Sequence, residues 1–182
     1  DDVGTYELNL GDLANSNYSI TLSGTPVDFT IDELAVVVTP DSAQSKTYGA
    51  ADPTFTYSVS PALVGTDSLT GALDREDGDD AGTYELDLGD LANSNYSITL
   101  SGTPVDFTID ELAVVVTPDS AQSKTYGAAD PTFTYSTSPA LVGTDSLTGA
   151  LDREDGDDAG TYELDLGDLA NSNYSITLSG TP

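Results

Sequence analysis

Histidine, cysteine, methionine and tryptophan are absent from these 182 residues, and the first two absences close off whole classes of chemistry. Without cysteine the chain has no disulfide, no thiolate nucleophile and no sulfur ligand for zinc. Without histidine it has no Ser-His-Asp triad and no imidazole for a metal. Positive charge is nearly as scarce, with 4 Lys and Arg against 32 Asp and Glu, a net charge of −28. Nucleic acid and anionic lipid are gripped through Lys and Arg, so neither is expected as a partner. No apolar run approaches the ~18 residues that cross a bilayer as a helix, so no direct membrane insertion is expected. What remains is 37% hydrophobic and alternates with polar residues. That is the pattern of strands, not of an acidic disordered tail.

The residues present repeat. Gly4-Thr5-Tyr6-Glu7-Leu8 returns as Gly82-Thr83-Tyr84-Glu85-Leu86 and as Gly160-Thr161-Tyr162-Glu163-Leu164, a period of 78 residues. Residues 1–104 laid on 79–182 leave three mismatches: Val3 against Ala81, Asn9 against Asp87, and Val59 against Thr137. Copies so alike have not diverged toward separate tasks, and such repetition serves length or avidity. With each unit begun at Glu33, residues 1–32 are the C-terminal part of a repeat. Residues 33–110 are then a complete repeat domain, and 111–182 a repeat domain lacking its last strand. The array is expected to be longer than this chain.

Within the copy 33–110, Leu34-Ala35-Val36-Val37-Val38 is a β-branched run ended by Thr39-Pro40, expected to form a strand buried on both faces. Ser42–Pro53 is a turn-rich connection. Phe55, Tyr57 and Val59 alternate with polar residues as a half-buried strand does. Leu69, Gly71 and Leu73 suggest a shorter strand, and Asp74 to Asp80 a polar loop. Tyr84, Leu86 and Leu88, then Tyr96, Ile98 and Leu100, then Val105, Phe107 and Ile109 complete the alternating segments. No helical period of useful length occurs; Ala62 to Leu69 has room for one turn. The pattern predicts an all-β fold, a small Ig-like β-sandwich repeated and stacked end to end, with a β-grasp-like sheet as the alternative. The junctions Asp32-Glu33 and Asp110-Glu111 leave two charged residues between strands of adjacent copies.

Lys46-Thr47-Tyr48-Gly49-Ala50-Ala51-Asp52-Pro53, followed by Leu63-Val64-Gly65, Asp67-Ser68-Leu69-Thr70-Gly71, Gly4-Thr5-Tyr6 and Asn17-Tyr18-Ser19-Ile20-Thr21, resembles the MBG family of bacterial surface repeats in its Tyr-Gly type. The resemblance spans the whole unit of 78 residues. It implies tandem arrays in large secreted adhesins at the bacterial cell surface, where such modules serve as stalks. It brings no catalytic or ligand-binding residues with it.

One stretch carries candidate chemistry. Asp74, Glu76, Asp77, Asp79 and Asp80, repeated as Asp152, Glu154, Asp155, Asp157 and Asp158, place five carboxylates in seven residues around Gly78 or Gly156. Such a cluster can hold a hard cation such as Ca²⁺ or simply form a solvated loop. The spacing fails the EF-hand pattern, since a glycine slot at Gly78 puts the first ligand on Leu73. Paired carboxylates also serve glycoside hydrolysis, but here they lie in one loop with no aromatic cleft in view. No enzyme is expected, and no cofactor is required. Most tyrosines fall on inward strand positions and suit core packing, whereas Tyr48, beside a glycine in a loop, does not.

The expected function is structural: an extender or spacer repeat that projects a distal binding module, in contact with neighbouring repeats of its own chain. Host or surface ligands would then be bound by other domains. The alternative is a repeated module that binds glycan, mucin or another cell by avidity, to be recognised by a concave, aromatic-lined surface on every unit.

Overall fold

A computed structural model describes residues 1–179. Every regular element among them is a strand. In chain order these are β1 (Gly4–Glu7), β2 (Asp28–Ile31), β3 (Leu34–Pro40), β4 (Ser45–Thr47), β5 (Tyr57–Ser60), β6 (Asp74–Arg75) and β7 (Gly82–Asp87). They continue with β8 (Tyr96–Leu100), β9 (Asp106–Asp110), β10 (Leu112–Pro118), β11 (Tyr135–Ser138), β12 (Asp152–Arg153), β13 (Leu164–Asp165) and β14 (Tyr174–Leu178). The chain folds as two compact units whose borders do not follow the repeat. The first takes Asp1–Asp41, Thr54–Arg75 and Leu86–Val105; the second takes Ser42–Pro53, Glu76–Glu85 and Asp106–Pro182. The repeat 33–110 thus contributes segments to both.

In the first unit β3 pairs antiparallel with β5 and parallel with β8, through Val38↔Val59 and Val36↔Ile98. Parallel neighbours cannot be joined by a hairpin, so the chain between β3 and β8 makes a long crossover. Burial along β3 alternates: Val36 and Val38 are inside, while Val37 is 40% exposed. The strand expected to be buried on both faces is therefore covered on one only. The stretch Leu69–Leu73 forms a single bridge, Thr70↔Ala92, instead of a strand. Asp74 and Arg75, read as loop, form β6 against Asp87 and Leu86. A hydrogen bond from Ala72 N to Asp90 Oδ1 (2.7 Å) draws these segments together. At Gly71, with φ of +81°, an added Cβ would lie 2.2 Å from the Asp90 carbonyl oxygen. Only glycine permits that approach. The β1 and β2 strands pair antiparallel, from Gly4↔Ile31 to Glu7↔Asp28.

The second unit repeats the three-stranded arrangement as β11-β10-β14, with registers shifted by one repeat, Val116↔Thr137 and Val114↔Ile176. Val116, Leu151 and Leu169 form its buried centre. Tyr135 of β11 and Ile176 and Leu178 of β14 pack on that centre, as do Leu147 and Leu166. A small sheet layered on leucines from the opposite side is a β-sandwich in miniature, and the fold is all-β. The same unit holds β9, flanked by β4 in parallel and by β7 in antiparallel register. Phe107 and Ile109 of β9 are buried.

The three residues of β4 were part of the turn-rich connection, and β9 is the strand they pair with. Ser123-Lys124-Thr125 has the same sequence as Ser45-Lys46-Thr47, yet no strand like β9 follows it among the described residues, and it is not a strand. Likewise β13 covers Leu164–Asp165 where β7 covers Gly82–Asp87. Pairing, not local propensity, makes these strands.

Candidate functional site

The boundary between the repeats 33–110 and 111–182 lies inside the second compact unit. Its lower half is a turn in the later repeat, closed by a 3.0 Å hydrogen bond from Asp145 N to Val142 O. The Tyr174 hydroxyl clamps this turn. It accepts from Val142 N (2.8 Å) and donates to Asp145 Oδ2 (2.7 Å). Val64, Asp67 and Tyr96 build the same clamp in the repeat 33–110, with Val64 N to Tyr96 Oη at 2.8 Å and Tyr96 Oη to Asp67 Oδ2 at 2.7 Å. This segment, where one turn of helix had room, is held as a turn by a tyrosine from β8 or β14.

The upper half is Tyr48-Gly49 of the earlier repeat. Tyr48 continues the pairing of β4 on β9 through a 2.8 Å hydrogen bond from its N to Asp110 O, and Ala50 N to Thr47 O (3.0 Å) folds the chain back. That turn delivers the Tyr48 hydroxyl to Asp145 Oδ2 at 2.8 Å. Its ring meets Tyr174 edge to face, centroids 5.4 Å apart at 76°, an arrangement that aromatic quadrupoles favour. Gly49 lies so close to Val142 that an added Cβ would stand 2.6 Å from Cγ2. The tyrosine that fitted no strand role is therefore an inter-repeat contact.

Asn173 makes a second pin. It is 8% exposed; its Oδ1 accepts from Ala81 N (2.8 Å) and its Nδ2 donates to Asp80 Oδ1 (2.8 Å). In the first unit Asn95 treats residues 2 and 3 alike, accepting from Val3 N at 2.9 Å and donating to Asp2 Oδ1 at 3.2 Å. Because the bond uses backbone N–H, the Val3/Ala81 difference between copies leaves it intact.

Asp145 receives two phenol hydroxyls. These hydrogen bonds, from Tyr174 first and Tyr48 second, hold its carboxyl below the usual range. The same bond to Asp145, with some desolvation, pushes Tyr48 up to about 12. Tyr174 is raised too, chiefly by burial and then by Asp145. A chain with few cations here uses neutral phenols to stabilise a carboxylate.

The acidic loops are organised differently from the cation-binding expectation. Asp74 Oδ1 accepts from Arg75 N at 2.9 Å in β6, Glu76 Oε2 from Glu85 N at 3.4 Å, and Asp80 is taken by Asn173. In the later copy, Asp152 Oδ1 accepts from Arg153 N at 2.8 Å and Glu154 Oε2 from Glu163 N at 3.4 Å. Asp77, Asp79, Asp155, Asp157 and Asp158 lie beside these in their loops. The Arg153 guanidinium reaches back to the carbonyl oxygens of Glu154 (2.7 Å) and Gly156 (2.8 Å), so the later loop curls around an arginine. Arg153 also binds Asp130 (3.1 Å), shared with Lys124 at 2.6 Å. These two partners, Lys124 first, hold the Asp130 carboxyl down. Among the described residues no three acidic side chains converge as a metal site requires. Beside this network opens a cleft of about 530 Å³ lined by Lys124, Tyr126, Asp130, Phe133, Arg153 and Tyr162, among others.

Asp145 and Asn173 went unread as contact residues, although Leu-Val-Gly, Asp-Ser-Leu and Asn-Tyr-Ser recur with Tyr-Gly as a set. No curated protein and no solved structure matches the chain. The family model of the MBG domain (YGX type) matches twice, over residues 36–105 and 114–181, with Tyr48-Gly49-Ala50 and Tyr126-Gly127-Ala128 in the matched stretches. The chain is a tandem pair of such domains and belongs to the MBG domain (YGX type) family.

Proposed function

We propose that these repeats are structural extenders of a bacterial cell-surface adhesin, spacing a distal binding module away from the cell, with no catalytic role of their own. The observation that carries this is the directly bonded repeat boundary. β9 ends at Asp110 and β10 begins at Leu112, leaving one residue between the strands. Tyr48, Gly49 and Asn173 then tie one repeat to the next. A joint without slack transmits length, and near-identical copies add it in equal steps. Strong like charge on every copy favours solvated, mutually repelling arrays at a surface.

A module binding by avidity needs the same concave aromatic surface on every unit. The cleft by Tyr126 and Tyr162 has no such repetition, since in the repeat 33–110 the corresponding place is filled by β9. Small-angle scattering on chains of two and four repeats tests the spacer role. The maximum dimension should grow by roughly 30–45 Å per repeat, as strands of ~6 residues at ~3.3 Å plus turns require. A dimension that stays nearly constant with copy number overturns it.

A further inference from the structure

The cleft in the second unit has the outline of a missing strand. In the repeat 33–110, β9 lies between β4 and β7, with Lys46↔Ile109 on one edge and Gly82↔Ile109 and Tyr84↔Phe107 on the other. The counterparts of those neighbours, Lys124, Gly160 and Tyr162, line the cleft, together with Phe133 and Leu164. Both edges carry backbone groups that lie outside any strand there. An apolar floor between two unpaired edges is the geometry into which an extended peptide adds as a strand.

Residues 27–32 have the sequence Val-Asp-Phe-Thr-Ile-Asp, identical to residues 105–110. In β9 the phenylalanine, Phe107, is 0% exposed, whereas in β2 its twin Phe29 is 55% exposed and Val27 is 61% exposed. Charge agrees with this pairing. Two of the chain's 4 basic residues, Lys124 and Arg153, line the cleft, and the strand carries Asp28 and Asp32 beside its apolar positions.

We infer that the cleft is a strand-receiving slot and that β2 of a second copy of this chain fills it, parallel to Ser123–Thr125 and antiparallel to Gly160–Glu163. The exchange costs little pairing. β2 leaves Gly4-Thr5-Tyr6-Glu7 for Gly160-Thr161-Tyr162-Glu163, the same four residues. It adds a second ladder and buries Phe29 and Ile31. Swapping an identical element between copies is a low-cost route to association. This inference stands apart from the spacer role, since it concerns one slot and one strand, not the joint at Tyr48.

The test uses the full chain and a labelled peptide spanning residues 25–33. Fluorescence anisotropy should show binding at about 10–100 μM, and the peptide with Phe29→Asp should bind at least ~10-fold more weakly. A chain extended after Pro182 by Val-Asp-Phe-Thr-Ile-Asp fills its own slot and should not bind the peptide. Sedimentation velocity up to ~1 mM should show concentration-dependent association, lost in the Phe29→Asp chain (an exposed position that leaves the fold intact) and in the extended chain. No peptide binding at ~1 mM overturns the slot, as does equal binding to the extended chain. Peptide binding without association of the chain overturns the second copy as occupant. Scattering from longer arrays is unaffected by any of these outcomes, so a failed slot and a failed spacer are told apart.

Discussion

The Tyr48 hydroxyl donates a 2.8 Å hydrogen bond to Asp145 Oδ2, a carboxylate 97 residues further along the chain. Its sequence twin Tyr126 is 73% exposed. One residue type in one local sequence thus occupies two environments, and the pair separates what the joint contributes from what the tyrosine contributes locally. Tyr48→Phe should lower the melting temperature by about 2–5 °C, as loss of a charge-assisted hydrogen bond does in a chain of this size. Tyr126→Phe should leave it within about 1 °C. Calorimetry on the two variants decides the matter, and equal shifts would show that Tyr48 stabilises through its own loop.

Gly49 and Gly127 make a second internal control. Both have φ near +80°, at +81° and +82°, but only Gly49 faces a neighbour, Val142. Alanine at either site carries the same backbone strain, about 1 kcal/mol. Gly49→Ala should cost a further ~1–3 kcal/mol through overpacking. Denaturant titration of both variants checks the difference, and no difference would mean that Val142 moves aside freely.

The joint has a pH window. Asp145 has a folded pKa below that of the unfolded chain, so its contribution is complete above about pH 4 and is lost as pH falls further. Tyr48 has a folded pKa of about 12, above the unfolded value of about 10. Its contribution is complete below about pH 10 and is lost as pH rises toward 12, where phenolate would face carboxylate. The difference in melting temperature between the parent and Tyr48→Phe should therefore be flat from about pH 5 to 9 and shrink on both sides. A difference that persists at pH 11.5 would contradict the hydrogen bond as its source.

In the acidic loops, carboxylates bonded to backbone N–H groups and an arginine drawn onto carbonyls leave screening as the main effect of salt. NaCl and CaCl₂ at matched ionic strength should raise the melting temperature equally. Excess stabilisation by millimolar Ca²⁺ that disappears in Asp155→Asn with Asp157→Asn would instead place a calcium ion in the loop.

Val59 and Thr137 hold the same half-buried position, opposite Val38 and Val116 respectively. A side chain still partly in water there accepts a hydroxyl at small cost. Val59→Thr should destabilise by under about 1 kcal/mol in thermal or chemical unfolding. A loss above ~2 kcal/mol would mean the site is closed to solvent.

Repeat length, the all-β class and most strands follow from the sequence alone, because a period of 78 residues and two-residue alternation are local properties. Strands such as Leu34–Pro40 and Tyr96–Leu100 carry their own β-branched and aromatic signature and need no distant partner to be recognised. The number of buried faces on β3 does not follow, since it depends on what lies across the sheet. Neither does β4: Ser45-Lys46-Thr47 and Ser123-Lys124-Thr125 are the same three residues, and only the copy beside β9 is a strand. Tyr48 could be singled out in the sequence as a tyrosine without a strand, but its partner could not, for Asp145 is one of 32 acidic residues and acquires its role when the chain brings the Val142 turn beneath it. Composition and period determined what kind of fold forms and how often. Long-range pairing and docking, whose energy exists only once distant segments meet, decided which identical residues become strand, slot or joint.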